Sequence, residues 1–274
     1  MADTEHISIV ELGVGDAQAG LALSTEAHWN QNEDDWRFFL TKGIVFGVRD
    51  KARLVATAAL LPYSAGNAWI SMVLVTANWR RRGVATRLVD ACLNAARKLE
   101  LTTWLDATPA GVVVYGPLGF TPALQLRRLR LENATPAKAL PSLLPCSLDE
   151  FIERDSRVIG FDRSALLREF ATRYGSRVLS DGHAMAIVRD GRTARHIGPL
   201  LANTPESALA LVDAIVRSET GPLLLDAVSS QDEFFRGLIG SGWIVERSFQ
   251  RMRFGRATAQ SSELPFAVAG PEFG

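Results

Sequence analysis

The sequence is poor in the features that mark disulfide-rich, metal-binding, exported and membrane proteins. Only two of its 274 residues are cysteines, and Cys92 and Cys146 lie far apart without a metal-ligand partner nearby. We therefore expect reduced thiols, no metal site and a cytoplasmic location. No apolar run approaches the roughly 18 residues of a membrane span, and the first ten residues lack the basic and apolar regions of a signal peptide. These absences predict a protein that is neither exported nor inserted in a membrane.

Neither sign of charge is in excess. Lys and Arg total 30, and Asp and Glu also total 30. A balanced chain has no long-range field that would attract nucleic acid or an anionic membrane, so we expect neither as a partner. The length exceeds what one small α/β domain needs and suits two.

Two common phosphate-binding motifs are missing, since the sequence has neither GxGxxG nor a Walker GK[ST]. It has instead a stretch from Asn67 to Leu99 that reads as a buried strand, a turn with three arginines, and a helix opening at Gly83. The helix is predicted from apolar residues spaced three or four apart. These residues are Val84, Leu88, Cys92, Ala95 and Leu99.

The turn before this helix has the chemistry of an anion site. The first turn of a helix has backbone N–H groups without partners, and the helix dipole adds positive charge there. Gly83 has no Cβ to hold an anion away from the backbone, and Ala85 is small. The spacing Arg80-x-x-Gly83-x-Ala85 therefore predicts a pyrophosphate-binding turn, with a solvated basic turn as the alternative.

A second motif follows this turn. A short strand, Thr103 to Ala107, precedes Tyr115-Gly116-Pro117-Leu118-Gly119-Phe120. Together the two motifs resemble the GNAT superfamily of acyl-CoA N-acyltransferases. Its members carry [QR]-x-x-G-x-[GA] after a central strand and Tyr-x-x-x-Gly-Phe at the end of the next helix. The resemblance covers about residues 5 to 132.

The predicted order of elements agrees with that resemblance. It begins with a strand, two helices and three strands, and continues with a helix, a strand, a helix and further strands. The predicted starts and spans are a strand at 7–12, helices from 16 and from 33 to Gly43, and strands at 44–49, 54–62 and 69–75.

The second half of the chain repeats the first. Residues 133–146 contain three prolines and read as a linker, and Ser147 with Glu150 has capping-box spacing, so a new domain is predicted at 147–274. Leu88-Val89-Asp90-Ala91 and Leu105-Asp106-Ala107 recur 123 and 120 residues later, and Gly119-Phe120 has its counterpart in Gly242-Trp243, again 123 residues later. We therefore expect an α/β protein of two tandem GNAT folds, each a mixed, mostly antiparallel sheet flanked by helices, with the first domain at 1–132.

The second repeat has lost the anion site. Thr204 would cap the corresponding helix, Pro205 has no N–H, and Glu206 brings negative charge. The tyrosine is missing too. A catalytic repeat before a degenerate one resembles the YitH-like tandem acetyltransferases, as does the ending Ala269-Gly270-Pro271-Glu272. The second repeat is expected to be structural or to close over the substrate pocket.

The resemblance implies roles for individual residues, with acetyl-CoA as co-substrate. The backbone of Val73, Leu74 and Val75 would pair with the pantetheine amides, and the N–H of Val75 would stabilise the oxyanion. Tyr115 matches the tyrosine that acts as general acid. The pyrophosphate would be held by the backbone N–H groups of Arg81, Arg82, Gly83, Val84, Ala85 and Thr86, with the Arg80 side chain in support.

The general base and the acceptor site are left open. Asp106, Glu26, His28 and a water chain are the candidate bases, although recurrence of Asp106 as Asp226 indicates a shared structural role. The acceptor would be lined by residues before and within the second helix. These are Glu26, His28, Trp29, Asn30 and Trp36.

The predicted function is acetyl transfer to the primary amine of a small molecule by direct attack on acetyl-CoA. Two alternatives are a protein lysine or N-terminal acetyltransferase and a non-catalytic acyl-CoA sensor. The oligomeric state, monomer or homodimer, is left open.

Overall fold

The computed structural model describes residues 8–136, 143–256 and 263–274. It divides into two compact units. Of the described residues, unit 1 comprises those within Met1–Pro62 and Gly66–Trp104, and unit 2 comprises those within Tyr63–Ala65 and Leu105–Gly274.

Unit 1 is a sheet with helices, and its strand order is β1-β2-β3-β4-β5. Neighbouring strands are antiparallel except β4 and β5, which are parallel. The fifth strand continues past Trp104 into unit 2. The elements are β1 (Ile9–Glu11), α1 (Ala17–Glu26), α2 (Glu33–Lys42), β2 (Ile44–Asp50), β3 (Arg53–Pro62), β4 (Asn67–Val75), α3 (Val84–Lys98) and β5 (Thr102–Ala107).

Local chemistry fixes the helix ends in unit 1. The Asn32 side chain accepts a hydrogen bond from the Asp35 N–H at 3.0 Å and so caps α2, which ends at Gly43 as predicted. Helix α3 buries Val84, Leu88 and Cys92 of the predicted stripe. Toward its C-terminal end the buried positions are Leu93 and Ala96. Leu99 follows the helix and is 50% exposed, so its place in the stripe was wrong.

Unit 2 contains strands and helices, and its strands follow the order β12-β6-β11-β10-β9-β8-β7. Among the neighbouring strands that the structure describes in this unit, β10 and β11 are parallel and the other pairs are antiparallel. Its elements are α4 (Pro109–Tyr115), β6 (Thr121–Ala134), β7 (Leu144–Pro145), α5 (Leu148–Ile159), α6 (Ser164–Thr172), β8 (Arg177–Ser180), β9 (Ala184–Arg189), β10 (Arg195–Ala202), α7 (Pro205–Val216), β11 (Gly221–Val228), α8 (Asp232–Gly240) and β12 (Ile244–Phe254).

The last strand of the first repeat, β6, belongs to unit 2. It lies between β11 and β12, and Leu126 of β6 pairs with Phe249 of β12. These two residues are 123 positions apart, the spacing of the sequence repeat, so equivalent strands pair about a local two-fold axis.

The compact units consequently divide at Trp104 and not at the predicted linker, of which residues 137–142 lie outside the described ranges. The Ser147 hydroxyl caps α5 at the predicted start of the second repeat. Within the described ranges, no helix is both long and apolar enough to cross a membrane.

Candidate functional site

The strand β4 changes register in its second half. Thr57 pairs with Leu74 and Ala59 pairs with Ser71, so β4 carries one extra residue between them. Met72 in this bulge has a φ of 52°, and its carbonyl accepts a hydrogen bond from the Thr57 hydroxyl at 2.8 Å. Pairing of β4 with β5 in unit 1 is confined to Asn67–Trp69. The edge of β4 that follows the bulge is therefore released from its parallel neighbour in this unit.

The register at the end of β4 decides which backbone groups face that edge. The Thr76 N–H donates to the Val55 carbonyl at 2.9 Å, so Thr76 faces β3. Because residues alternate in an antiparallel ladder, Leu74 also faces β3 while Val75 faces the opposite edge. The Val75 carbonyl accepts from Nε of Arg80 at 3.0 Å, in agreement with this direction. Val75 is thus oriented for its predicted role, whereas the Leu74 backbone turns away from the predicted ligand.

The turn that follows presents a run of backbone donors. Arg81 and Gly83 have left-handed φ values of 60° and 75°, and the first backbone bond of α3 runs from Arg87 to Gly83 at 3.1 Å. Among the described residues, none accepts a hydrogen bond from the backbone N–H groups of residues 81–86. An ideal Cβ on Gly83 would have no atom within 4 Å, so space is open beside these donors. The arrangement fits a diphosphate.

Glu26 lies beside the end of β4. Its carboxylate accepts from the Thr76 hydroxyl at 2.7 Å and from the Ala77 N–H at 2.9 Å. The hydrogen bond from Thr76 and then that from Ala77 hold the pKa of Glu26 below its ordinary value. With Val75 and Arg80, Glu26 lines a small pocket. The structure therefore brings Glu26 to the predicted site but makes it a weak proton acceptor.

The other residues predicted to line the site of the acceptor substrate differ in how deeply they are buried. His28 is exposed at a left-handed φ of 57°, and Trp29 is half-buried. Asn30 is 9% exposed. Trp36 is fully buried, its Nε1 donates to the Ser24 hydroxyl at 3.0 Å, and a Cβ on Gly20 would lie 2.4 Å from its ring. Its assignment to the acceptor site was therefore wrong, because it packs between α1 and α2.

Asp106 is held in a buried ion pair in unit 2. Both of its carboxylate oxygens accept from the Arg251 guanidinium at 2.9 Å, and its side chain has no exposed area. Asp226 is held in the same way by Arg128, at 2.8 and 2.9 Å. This geometry corrects the assignment of Asp106 as a base and gives both carboxylates a structural role.

Sequence reasoning noticed the recurring aspartates and missed their arginine partners. The signal was present, because Arg128 and Arg251 are 123 residues apart, like the other repeat landmarks. Each arginine lies on the last strand of one repeat and binds the aspartate of the other repeat.

Tyr115 is the last residue of α4. Its ring centre lies 6.0 Å from that of Phe120, and a Cβ on Gly111 would lie 3.0 Å from Cε2 of the tyrosine. The ring therefore folds back over the glycine, half-buried, at a place where a larger residue would collide with it. Gly119, in the same motif, has a left-handed φ of 97°.

The corresponding helix start in unit 2 has no donors to spare. Pro205 lacks an N–H, and the Ser207 N–H donates to Oγ1 of Thr204 at 3.2 Å. The Thr204 side chain and then the N–H of Glu206 itself lower the pKa of the Glu206 carboxyl. The predicted Thr204 cap is therefore confirmed, and this helix start has fewer available backbone donors than the one in unit 1.

Comparisons with known proteins agree with two similar halves. A family model described as "Acetyltransferase (GNAT) family" matches residues 16–120, and one described as "Acetyltransferase (GNAT) domain" matches residues 151–267. The chain is 22% identical over 237 residues to the "Uncharacterized N-acetyltransferase YitH" of Bacillus subtilis, covering 81% of this chain and 83% of that protein.

Solved structures share the fold over nearly the whole length. A putative acetyltransferase from Pyrococcus horikoshii has a TM-score of 0.83 at 19% identity, covering 98% of this chain and 96% of its own. A tandem GNAT protein from the clavulanic acid biosynthesis pathway has a TM-score of 0.64 at 16% identity, covering 92% and 100%. At these identities the likeness concerns the fold.

Proposed function

The chain belongs to the GNAT acetyltransferases, with one domain of that family in each half, and on this premise we propose that it transfers an acetyl group from acetyl-CoA to the primary amine of a small molecule. The observation that carries the proposal is the row of backbone N–H groups at residues 81–86, which have no acceptor among the described residues, beside the released edge of β4. A diphosphate and an amide-bearing arm need those two features together.

In the proposed mechanism the substrate amine attacks the thioester of acetyl-CoA directly. The N–H of Val75 stabilises the negative charge that develops on the carbonyl oxygen, and Tyr115 gives a proton to the departing thiolate. The support for Val75 is its direction in β4, and the support for Tyr115 is the family motif. With Asp106 bound by Arg251 and the pKa of Glu26 lowered, His28 and solvent are left to take the proton of the amine.

The second domain contributes no catalytic site in this proposal, because its helix start offers no anion site. One acetyl-CoA per chain is therefore expected.

Titration calorimetry with acetyl-CoA, followed by a thiol-release screen over amino acids, polyamines and aminoglycosides, tests the proposal. We expect one binding site per chain and turnover with one acceptor class. Absence of binding would overturn it. Binding together with turnover only on a protein substrate, or on no amine at all, would favour a protein acetyltransferase or a sensor.

A further inference from the structure

The segment of residues 266–274 is buried throughout in unit 2. Ala267, Val268 and Phe273 each have 1% or less of their area exposed. A segment without regular secondary structure normally lies on a protein surface, because its backbone polar groups need partners. The hydrogen-bond partners of this segment therefore explain why it can be buried.

The 266–274 segment enters the sheet between β10 and β11. Parallel pairing of these strands is confined to Arg195 and His196 on β10, which then has a bulge before Leu200. Leu200 donates to the Ala267 carbonyl at 2.9 Å and accepts from the Phe266 N–H at 2.9 Å.

On its other side, the 266–274 segment forms backbone hydrogen bonds with β11. The Val228 N–H donates to the Phe266 carbonyl at 3.1 Å, and the Val268 N–H donates to the Asp226 carbonyl at 3.0 Å. Ala267 makes antiparallel bridges to both strands. The segment thus behaves as a short strand inserted where β10 and β11 separate.

Unit 1 has the same separation in β4, where a bulge at Met72 follows the last pairing with β5 at Trp69. In the proposed function this edge binds the pantetheine arm, an extended chain with amide groups like those of a peptide. We propose that the cleft between β10 and β11 is a binding site for an extended peptide and that the 266–274 segment is its ligand. Only the analogy with pantetheine rests on the proposed function.

The cleft recognises the segment by shape as well as by backbone pairing. A Cβ on Gly198 would lie 2.2 Å from the Val268 carbonyl oxygen, so the close approach requires glycine. Nη2 of Arg189 donates to the Ala269 carbonyl at 2.8 Å. The Phe273 ring packs edge-on against Phe170 with ring centres 5.1 Å apart. Backbone pairing combined with side-chain pockets is the pattern of peptide binding by strand addition.

In the second repeat, the 266–274 segment bridges β10 and β11, so the gap between these strands is occupied without coenzyme A. Its pyrophosphate turn is absent, and the place of the pantetheine arm is taken by the chain itself. Acetyl-CoA should therefore change unit 1 and leave this cleft unchanged.

Hydrogen exchange of the full chain, with and without acetyl-CoA, tests this first. We expect the amides of Leu200, Val228 and Val268 to exchange at least about 1,000-fold more slowly than in an unstructured peptide, with or without acetyl-CoA. Free exchange at Val268, or protection of Leu200 and Val228 that depends on acetyl-CoA, would overturn the proposal. Failure of acetyl-CoA to slow exchange at Val75 would count against the proposed function alone.

A variant with an altered ligand tests the site itself. Val268→Pro removes the N–H that donates to the backbone carbonyl of Asp226, and it leaves every residue of the cleft unchanged. We expect exchange at Leu200 and Val228 to rise at least about tenfold and to return toward the wild-type rate when a synthetic peptide of residues 264–274 is added.

The same peptide carrying the proline is the matched control and should have no effect. Unchanged exchange in the variant, or equal rescue by both peptides, would overturn the proposal. The wild-type exchange experiment tests it even where the variant does not fold.

Discussion

At the scale of single residues, Gly83 tests the anion site most directly. Gly83→Glu should weaken acetyl-CoA binding at least about 100-fold, because it places bulk and negative charge in the open space beside the donors of residues 81–86. Titration calorimetry measures this change.

Gly83→Ala is the matched control, because it shares the strain of the left-handed φ of 75° but adds one methyl group and no charge. Its loss should be about tenfold or less. Similar losses in both variants would mean that strain, and not occlusion, explains the effect.

Removal of the Tyr115 hydroxyl tests the proposed role of this residue as general acid. Tyr115→Phe should slow turnover by about 100-fold or more while acetyl-CoA affinity is kept, since proton donation to the leaving group is lost and the packing against Phe120 is retained. Single-turnover kinetics on an acceptor found in the screen provide the measurement. An unchanged turnover rate would remove Tyr115 as the acid.

Sequence reasoning was uneven at this scale, for a physical reason. It located the helix start at Gly83, because a helix start is a local feature. It misplaced Trp36 and Asp106, because composition and spacing do not reveal whether an aromatic ring faces a core or whether a carboxylate has a distant partner. The Arg251 that binds Asp106 is 145 residues away.

At the scale of elements, the two helix starts differ in available donors, not only in charge. Glu206→Arg should therefore create no second acetyl-CoA site, although it reverses the charge. Pro205 still lacks an N–H, and Thr204 still accepts from Ser207. Binding stoichiometry should remain one per chain, and a stoichiometry of two would show that charge alone silences the second domain.

Helix caps and the order of elements along the first repeat were predictable because their rules act over a few residues. The Ser147 and Thr204 caps of the second repeat illustrate this. The bulge in β4 and the place of β6 beside β11 and β12 were not, because both depend on pairing between strands distant in sequence.

At the scale of the whole molecule, the buried side chain of His196 on β10 predicts that the protein is less stable in acid. Burial and then the Arg189 charge lower the pKa of His196 to about 4. The folded protein then binds fewer protons than the unfolded chain between about pH 4 and pH 6.5, so this contribution is present above pH 6.5 and lost as pH falls toward 4.

His196→Gln should flatten the dependence of Tm on pH in this window. Thermal unfolding of both proteins at pH 4.5, 5.5 and 7 checks it, and His28→Gln is the control because His28 is exposed. Parallel slopes for His196→Gln and the wild type would contradict the assignment.

Because each aspartate is bound by the arginine of the other repeat, we expect the two buried ion pairs to stabilise the structure and not to take part in catalysis. Asp106→Asn leaves the Arg251 guanidinium buried without its carboxylate, and it should cost about 3–5 kcal/mol of unfolding free energy. The paired replacement Asp106→Leu with Arg251→Met should restore most of that loss, because a buried pair can be replaced by apolar residues at little cost. Chemical denaturation measures both, and the turnover rate per folded molecule should stay unchanged in Asp106→Asn. If the fully folded variant instead turned over about 100-fold more slowly or worse, Asp106 would return to the catalytic machinery.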